Sequence, residues 1–102
     1  MNSIIQDKKR CILCGREDGL EEHHIFQGSN RKLSEKYGIK AWLCHFCHKG
    51  VTTYDGTIEI WSGNRRETIC TMDLLHILGQ IAWEDNYGSR EEFRAIFGRN
   101  YL

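Results

Sequence analysis

The sequence has no proline, no net charge and no long apolar run, and each absence narrows what the chain can be. With no proline, no repeat and no low-complexity stretch in 102 residues, nothing marks a linker, and one small domain is expected. Lysine plus arginine number 14, as do aspartate plus glutamate, so there is no global basic field to hold nucleic acid non-specifically. A local patch can still sit within a neutral total. No stretch approaches the roughly 20 apolar residues of a membrane-spanning helix, so no membrane partner is expected. The N-terminal MNSIIQDKKR puts its basic run after only two consecutive apolar residues, unlike a secretory signal. A reducing cytoplasm is therefore the expected compartment, where cysteines paired as C-x-x-C read as metal ligands rather than disulfides.

Residues 1–9 read as a polar, frayed lead-in and residues 10–102 as the domain. The stretch 10–28 reads as short strands joined by tight turns, one of them at Gly19. RKLSEKYG at 31–38 suggests a helical turn stopped by Gly38. WLCHFCHKG at 42–50 runs into a helix, and TIEIW at 57–61 alternates as a strand before an SGN turn. From Cys70 to about Asn86, the residues Leu74, Leu75, Leu78, Ile81 and Ala82 form a helical stripe. A last helix opens with the Ser89/Glu92 capping box, shows Phe93, Ile96 and Phe97 on one face and stops at Gly98. The two C-terminal helices are expected to build the core.

Two cysteine pairs stand out, Cys11/Cys14 and Cys44/Cys47, with 29 residues between them. Two residues between ligands let both thiolates of a turn reach one tetrahedral ion, so a structural four-cysteine zinc site is expected. Such a staple suits a chain this short. A redox C-x-x-C would want a βαβ setting that the pattern lacks. Cys70 has no partner in sequence and reads as a small buried apolar side chain.

His76 falls within the long helix, with a surface or core role, and His45 reads as a surface residue rather than a ligand. His23, His24 and His48 are not needed by a closed four-cysteine site, yet the zinc pairs bring them into the same small domain. Two readings stay open from spacing alone. One histidine holds a divalent cation while its neighbour takes a proton from water. Alternatively, all three are hydrogen-bonded in a polar core.

The order C-x-x-C, then x-x-H-H-I, then W-L-C-x-x-C-H resembles the zinc-containing HNH endonucleases of the ββα-metal, or His-Me finger, superfamily. The resemblance is closer to small phage-type HNH proteins. It rests on HHIFQGSNRKLSEKYG at 23–38 and SREEFRAIFGRNYL at 89–102, and covers residues 11–50 and about 76–102. It implies an α+β fold, a zinc-stapled ββα-metal finger followed by C-terminal helices. It implies His23 and His48 as ligands of a catalytic cation, Mg²⁺ or Mn²⁺ and in some members Ni²⁺ or Zn²⁺. It implies His24 as the general base against a DNA phosphodiester, Asn30 as the residue orienting the loop or the base, and the four cysteines as zinc ligands. A phage-encoded protein of this kind would act in the host cytoplasm.

One departure matters. Many such proteins carry a further histidine soon after the C-H step. Here KGVTTYDGTIEIW follows His48, with Thr52 four residues on. Asp55 is then a candidate third ligand, since carboxylate oxygen suits Mg²⁺; alternatively, two protein ligands are enough, as in some members of the superfamily. The sequence supports a metal-dependent DNA endonuclease or nickase, with Arg31, Lys32, Arg65 and Arg66 as candidate phosphate contacts. The alternative is a degenerate HNH-like zinc module that binds a protein as an inhibitor or adaptor. Third is a zinc-ribbon DNA binder that leaves its DNA intact.

Overall fold

The histidine doublet closes a strand. The computed structural model describes residues 2–102. In it β1 (Leu20–His24) pairs antiparallel with β2 (Lys40–Cys44), in a register running from Leu20–Cys44 to His24–Lys40. Between them lie a 3-10 turn (Gly28–Asn30) and helix α1 (Arg31–Tyr37), which ends at Gly38 as expected. Helix α2 (His45–Thr52) follows β2 directly, and Cys44 caps it by accepting from the Cys47 N–H at 3.5 Å. A second antiparallel pair, β3 (Thr57–Ser62) and β4 (Arg65–Cys70), leads into α3 (Thr71–Asn86) and α4 (Arg90–Phe97). The class is thus α+β, with two small sheets and four helices among the described residues. None of the helices is long and apolar enough to cross a membrane.

A regular strand sends adjacent side chains to opposite faces. Glu21 and His23 therefore share one face of β1, and Glu22 and His24 the other. α2 lies over the first face, and α1 reaches the second. Ile25 and Phe26, just past the doublet, are fully buried and lock this strand end into the core with Ile39, Leu43, Val51, Leu75, Trp83, Phe93 and Phe97.

Helix α3 does not present the expected stripe. Its buried positions are Thr71, Met72, Leu75, Gly79, Gln80 and Trp83, while Leu78 is only partly buried and Ile81 is exposed. The reason is Gly79. A Cβ there would lie 3.0–3.1 Å from the side chains of Ile39, Ile25 and Phe26, so the helix docks through its smallest residue. Helix α4 follows its local signals, with the Ser89/Glu92 capping box formed, Phe93 and Phe97 buried and Gly98 at its end.

The lead-in is tied down at residues 3–6: the Ile4 N–H donates to Gly38 O at 2.9 Å, Ser3 Oγ to Lys40 O at 2.6 Å, and Gln6 Oε1 accepts from the Trp42 N–H at 2.7 Å. These bonds run along the edge of β2 that β1 leaves open. The first cysteine pair sits in a turn, as the C-x-x-C spacing suggests, with the Cys11 N–H bonded to Arg16 O and the Gly15 N–H to Cys11 O. β4 was not expected, because RRETIC lacks a clean alternation; only its ladder with β3 makes it a strand.

The β3–β4 ribbon is largely exposed, with Trp61 at 72%. It is fastened at its base by two glycines. The Gly56 N–H donates to Gly50 O at 3.0 Å, and a Cβ on Gly56 would stand 3.0 Å from the Gly50 carbonyl carbon and 2.7 Å from Thr71 Oγ1.

Candidate functional site

The four thiols converge. One sulfur from each of Cys11, Cys14, Cys44 and Cys47 lies within 4.8 Å of the other three, and the Cys14 and Cys44 sulfurs stand 3.7 Å apart. Zinc–sulfur bonds of about 2.3 Å in a tetrahedron place sulfurs roughly 3.8 Å apart, so the cluster suits a metal such as zinc. Cys11 and Cys44 are buried, Cys47 is half-buried and Cys14 is exposed. Burial raises the Cys11 thiol, but backbone hydrogen bonds at Cys44, Cys14 and Leu13 outweigh it and bring the group to about 6. Cys47 is pushed up by burial and by its neighbouring sulfurs. Four thiolates this close need a cation among them to ionise together.

On one face of β1, His23 meets His48 of α2, with His23 Nδ1 3.3 Å from His48 Nε2. The other nitrogen of His48, Nδ1, lies 2.8 Å from Glu21 Oε1. An ionised carboxylate only accepts, so Nδ1 carries the proton and Nε2 of a neutral His48 presents its lone pair toward His23. This is the carboxylate–histidine arrangement that orients metal-binding imidazoles. His45, mostly exposed, reaches the other Glu21 oxygen at 3.3 Å. The bonds to His48 and His45 hold the Glu21 carboxyl below its usual range. His23 is buried, and burial, with repulsion from the positive forms of His48, His24 and His76, lowers it to about 4. It is therefore neutral at physiological pH. Its Nε2 is buried without a partner among the described residues. Two nitrogens about 2.05 Å from one tetrahedral ion stand roughly 3.3 Å apart, the separation seen here.

On the other face, His24 Nε2 lies 2.7 Å from Glu35 Oε2 of α1. The buried Lys40 ammonium sits 3.1 Å from that same oxygen and 3.4 Å from Glu22 Oε1. The bond to His24, then that to Lys40, holds the Glu35 carboxyl below its usual value. The carbonyl of His24 accepts from the Gln27 side chain. Alternation at the end of β1 is enough to separate the two rings.

The remaining expected residues divide. Asn30 does not reach His24; its Nδ2 donates to Phe97 O at 2.9 Å, fixing the loop before α1 to the end of α4. Asp55 does not reach the His23–His48 pair; it is exposed and accepts from Thr53 Oγ1 at 2.5 Å. Among the described residues no carboxylate completes a three-ligand group around those two histidines. Arg31 and Lys32 are exposed on the first turn of α1. Arg65 and Arg66 are exposed on β4, where Arg66 pairs with Glu59 at 3.1 Å and stands over the Trp61 ring. Cys70 is half-buried, its thiol 3.9 Å from Tyr54 O. His76 is half-buried and stacks on Phe26 at 5.4 Å.

Sequence reasoning missed Glu21, Glu35, Lys40 and Ser34. The Ser34 hydroxyl is buried and serves Phe26 twice, accepting from its N–H at 3.0 Å and donating to its carbonyl at 2.9 Å. A serine and a glutamate in succession within a helical run carried no signal beyond their helical spacing. No family model, curated protein or solved structure matches the chain.

Proposed function

We propose that the protein is a metal-dependent DNA endonuclease or nickase of the HNH type. The observation that carries this reading is the convergence of His23 and His48 from a strand and the following helix, their nitrogens 3.3 Å apart and Glu21 bonded behind His48. The order β1, β2, α2 and the thiol cluster beside it support the same reading. His23 and His48 would hold the divalent cation, Mg²⁺ or Mn²⁺. When bound, that ion supplies charge stabilisation for a phosphate oxygen and for the departing 3′-oxygen.

His24 accepts a proton from water as the water oxygen bonds to phosphorus. The bond from phosphorus to the 3′-oxygen breaks, and that oxygen takes its proton from solvent. His24 returns the acquired proton to solvent. Arg31, Lys32 and Arg65 are free to contact phosphate, while Arg66 would have to leave Glu59 to do so. The test is a supercoiled plasmid incubated with the zinc-loaded protein and Mg²⁺, Mn²⁺ or Ni²⁺. Metal-dependent nicking is expected, with a loss of about 100-fold or more in His24→Ala. No nicking under any metal, or equal nicking by the variant, sinks the reading.

A second reading has an observation of its own, that among the described residues no third protein ligand joins the histidine pair. In that reading the chain is a zinc-stapled module that binds a protein as an inhibitor or adaptor. Calorimetric titration with Mn²⁺ separates the two. Heat that disappears in His48→Ala favours the nuclease, and no heat favours the module.

A further inference from the structure

Glu22, His24 and Glu35 offer ligand atoms within 4.8 Å of one another, a geometry that invites a cation. That cation is already part of the chain. Lys40, only 4% exposed, places its ammonium 3.4 Å from Glu22 and 3.1 Å from Glu35. Burying an ammonium is costly unless it is paired, and these two carboxylates are its partners. With Lys40 already seated between the two carboxylates, the cluster works on His24 rather than on a metal.

We infer that Glu35 is a positioning residue that fixes the tautomer of His24, with Lys40 holding Glu35 in place. Glu35 Oε2 stands 2.7 Å from His24 Nε2. A carboxylate paired with a lysine is ionised and only accepts, so the proton of the neutral ring sits on Nε2. Nδ1 is left with the lone pair. It has no hydrogen-bond partner among the described residues, and the His24 side chain keeps 10% of its surface exposed. That is what a ring poised to take a proton from water requires.

The support is built into the fold. Lys40 is the register partner of His24 across β1 and β2, so base and clamp share one rung. On α1, Ser34 grips both backbone groups of Phe26 while its neighbour Glu35 grips the His24 ring. Two successive helical residues thus fix two positions of the HHIF stretch. During proton transfer Nδ1 gains the proton, Nε2 keeps its own, and Glu35 stabilises the imidazolium without being protonated.

The tautomer is a property of the chain; the catalytic consequence rests on the nuclease reading above. The experiment takes zinc-loaded protein labelled with ¹⁵N-histidine, at a pH where the ring is neutral. A two-bond proton–nitrogen correlation shows which nitrogen of His24 bears the proton. The wild type is expected to show Nε2–H alone, and Glu35→Ala a mixture with Nδ1–H. Glu35→Gln, which keeps an acceptor but not the charge, is expected to retain Nε2–H as the major form. Glu35 has a side chain 59% exposed, so these variants are expected to fold, and zinc content and melting temperature check that they do. In plasmid nicking, Glu35→Ala is expected to lose about 100-fold in kcat with KM within about 2-fold, and Glu35→Gln to retain part of the activity. An Nδ1–H ring in the wild type, or an unchanged tautomer in Glu35→Ala, overturns the inference. So does an altered tautomer with unchanged kcat. If the wild type nicks nothing, the nuclease reading fails, and the correlation spectrum alone still decides whether Glu35 sets His24.

Discussion

A single hydroxyl group, that of Ser34, satisfies a buried donor and a buried acceptor of the same residue, Phe26. Ser34→Ala leaves both groups unpaired in the buried core, so a loss of about 2 kcal/mol or more in unfolding free energy is expected. Urea denaturation of the zinc-loaded variant measures it, and an unchanged midpoint would show that the site rearranges. His76 makes a prediction in pH. Burial lowers its pKa below the ordinary histidine value, with Asp73 opposing and Arg99 assisting. In the unfolded chain the ring titrates near 6.5, so as pH falls below about that value the unfolded state binds the proton first. Stability is therefore present above that pH and lost as pH falls toward the folded value. His23, lowered to about 4, adds to the same slope. His76→Gln is expected to flatten the decline between about pH 6.5 and 4 without abolishing it, read from melting temperatures across that range.

At the scale of elements, the β3–β4 ribbon depends on backbone contact more than on side chains. The Cβ of Gly56→Ala would meet the Gly50 backbone at 3.0 Å, which cannot rotate away as a side chain would. The expected cost is about 1–3 kcal/mol, with amide exchange faster in β3 and β4 than in β1 and β2. The same contrast explains what could be foreseen. Helices α1 and α4 carry their stops and caps in their own residues, at Gly38, Ser89, Glu92 and Gly98, and these were legible. The cysteine pairs were legible because the C-x-x-C spacing states its own chemistry. β4 was not legible, because RRETIC becomes a strand only opposite β3. The buried face of α3 was hidden because Gly79, which no scale of apolarity promotes, is where the helix packs tightly on Ile25, Phe26 and Ile39. Glu21, Glu35 and Lys40 were missed for a related reason. A charged residue reads as surface until its partner in another element is known, and His24 and Glu35 lie 11 positions apart, Glu21 and His48 27.

For the molecule as a whole, the thiol cluster joins a turn near the start of the chain to the junction of β2 and α2. Zinc bound in such sites contributes about 10–16 kcal/mol, as much as or more than the 5–15 kcal/mol that stabilises an ordinary domain. One zinc per chain is expected by metal analysis. A strong chelator at neutral pH is expected to abolish the cooperative melt seen by circular dichroism, and a stably folded zinc-free chain would contradict the assignment. The ion also has a bearing on error. Cys44, one of its four candidate ligands, faces Leu20 at the first rung of the β1–β2 ladder, four rungs from His24 and Lys40. Slipping β1 by one residue would turn every side chain to the opposite face. His24 would then meet α2 and His23 would meet Lys40 and Glu35, exchanging the proposed ligand and the proposed base. By pinning Cys44, a bound ion discourages that slip, and the site that reads as purely structural keeps two chemically identical rings from trading places.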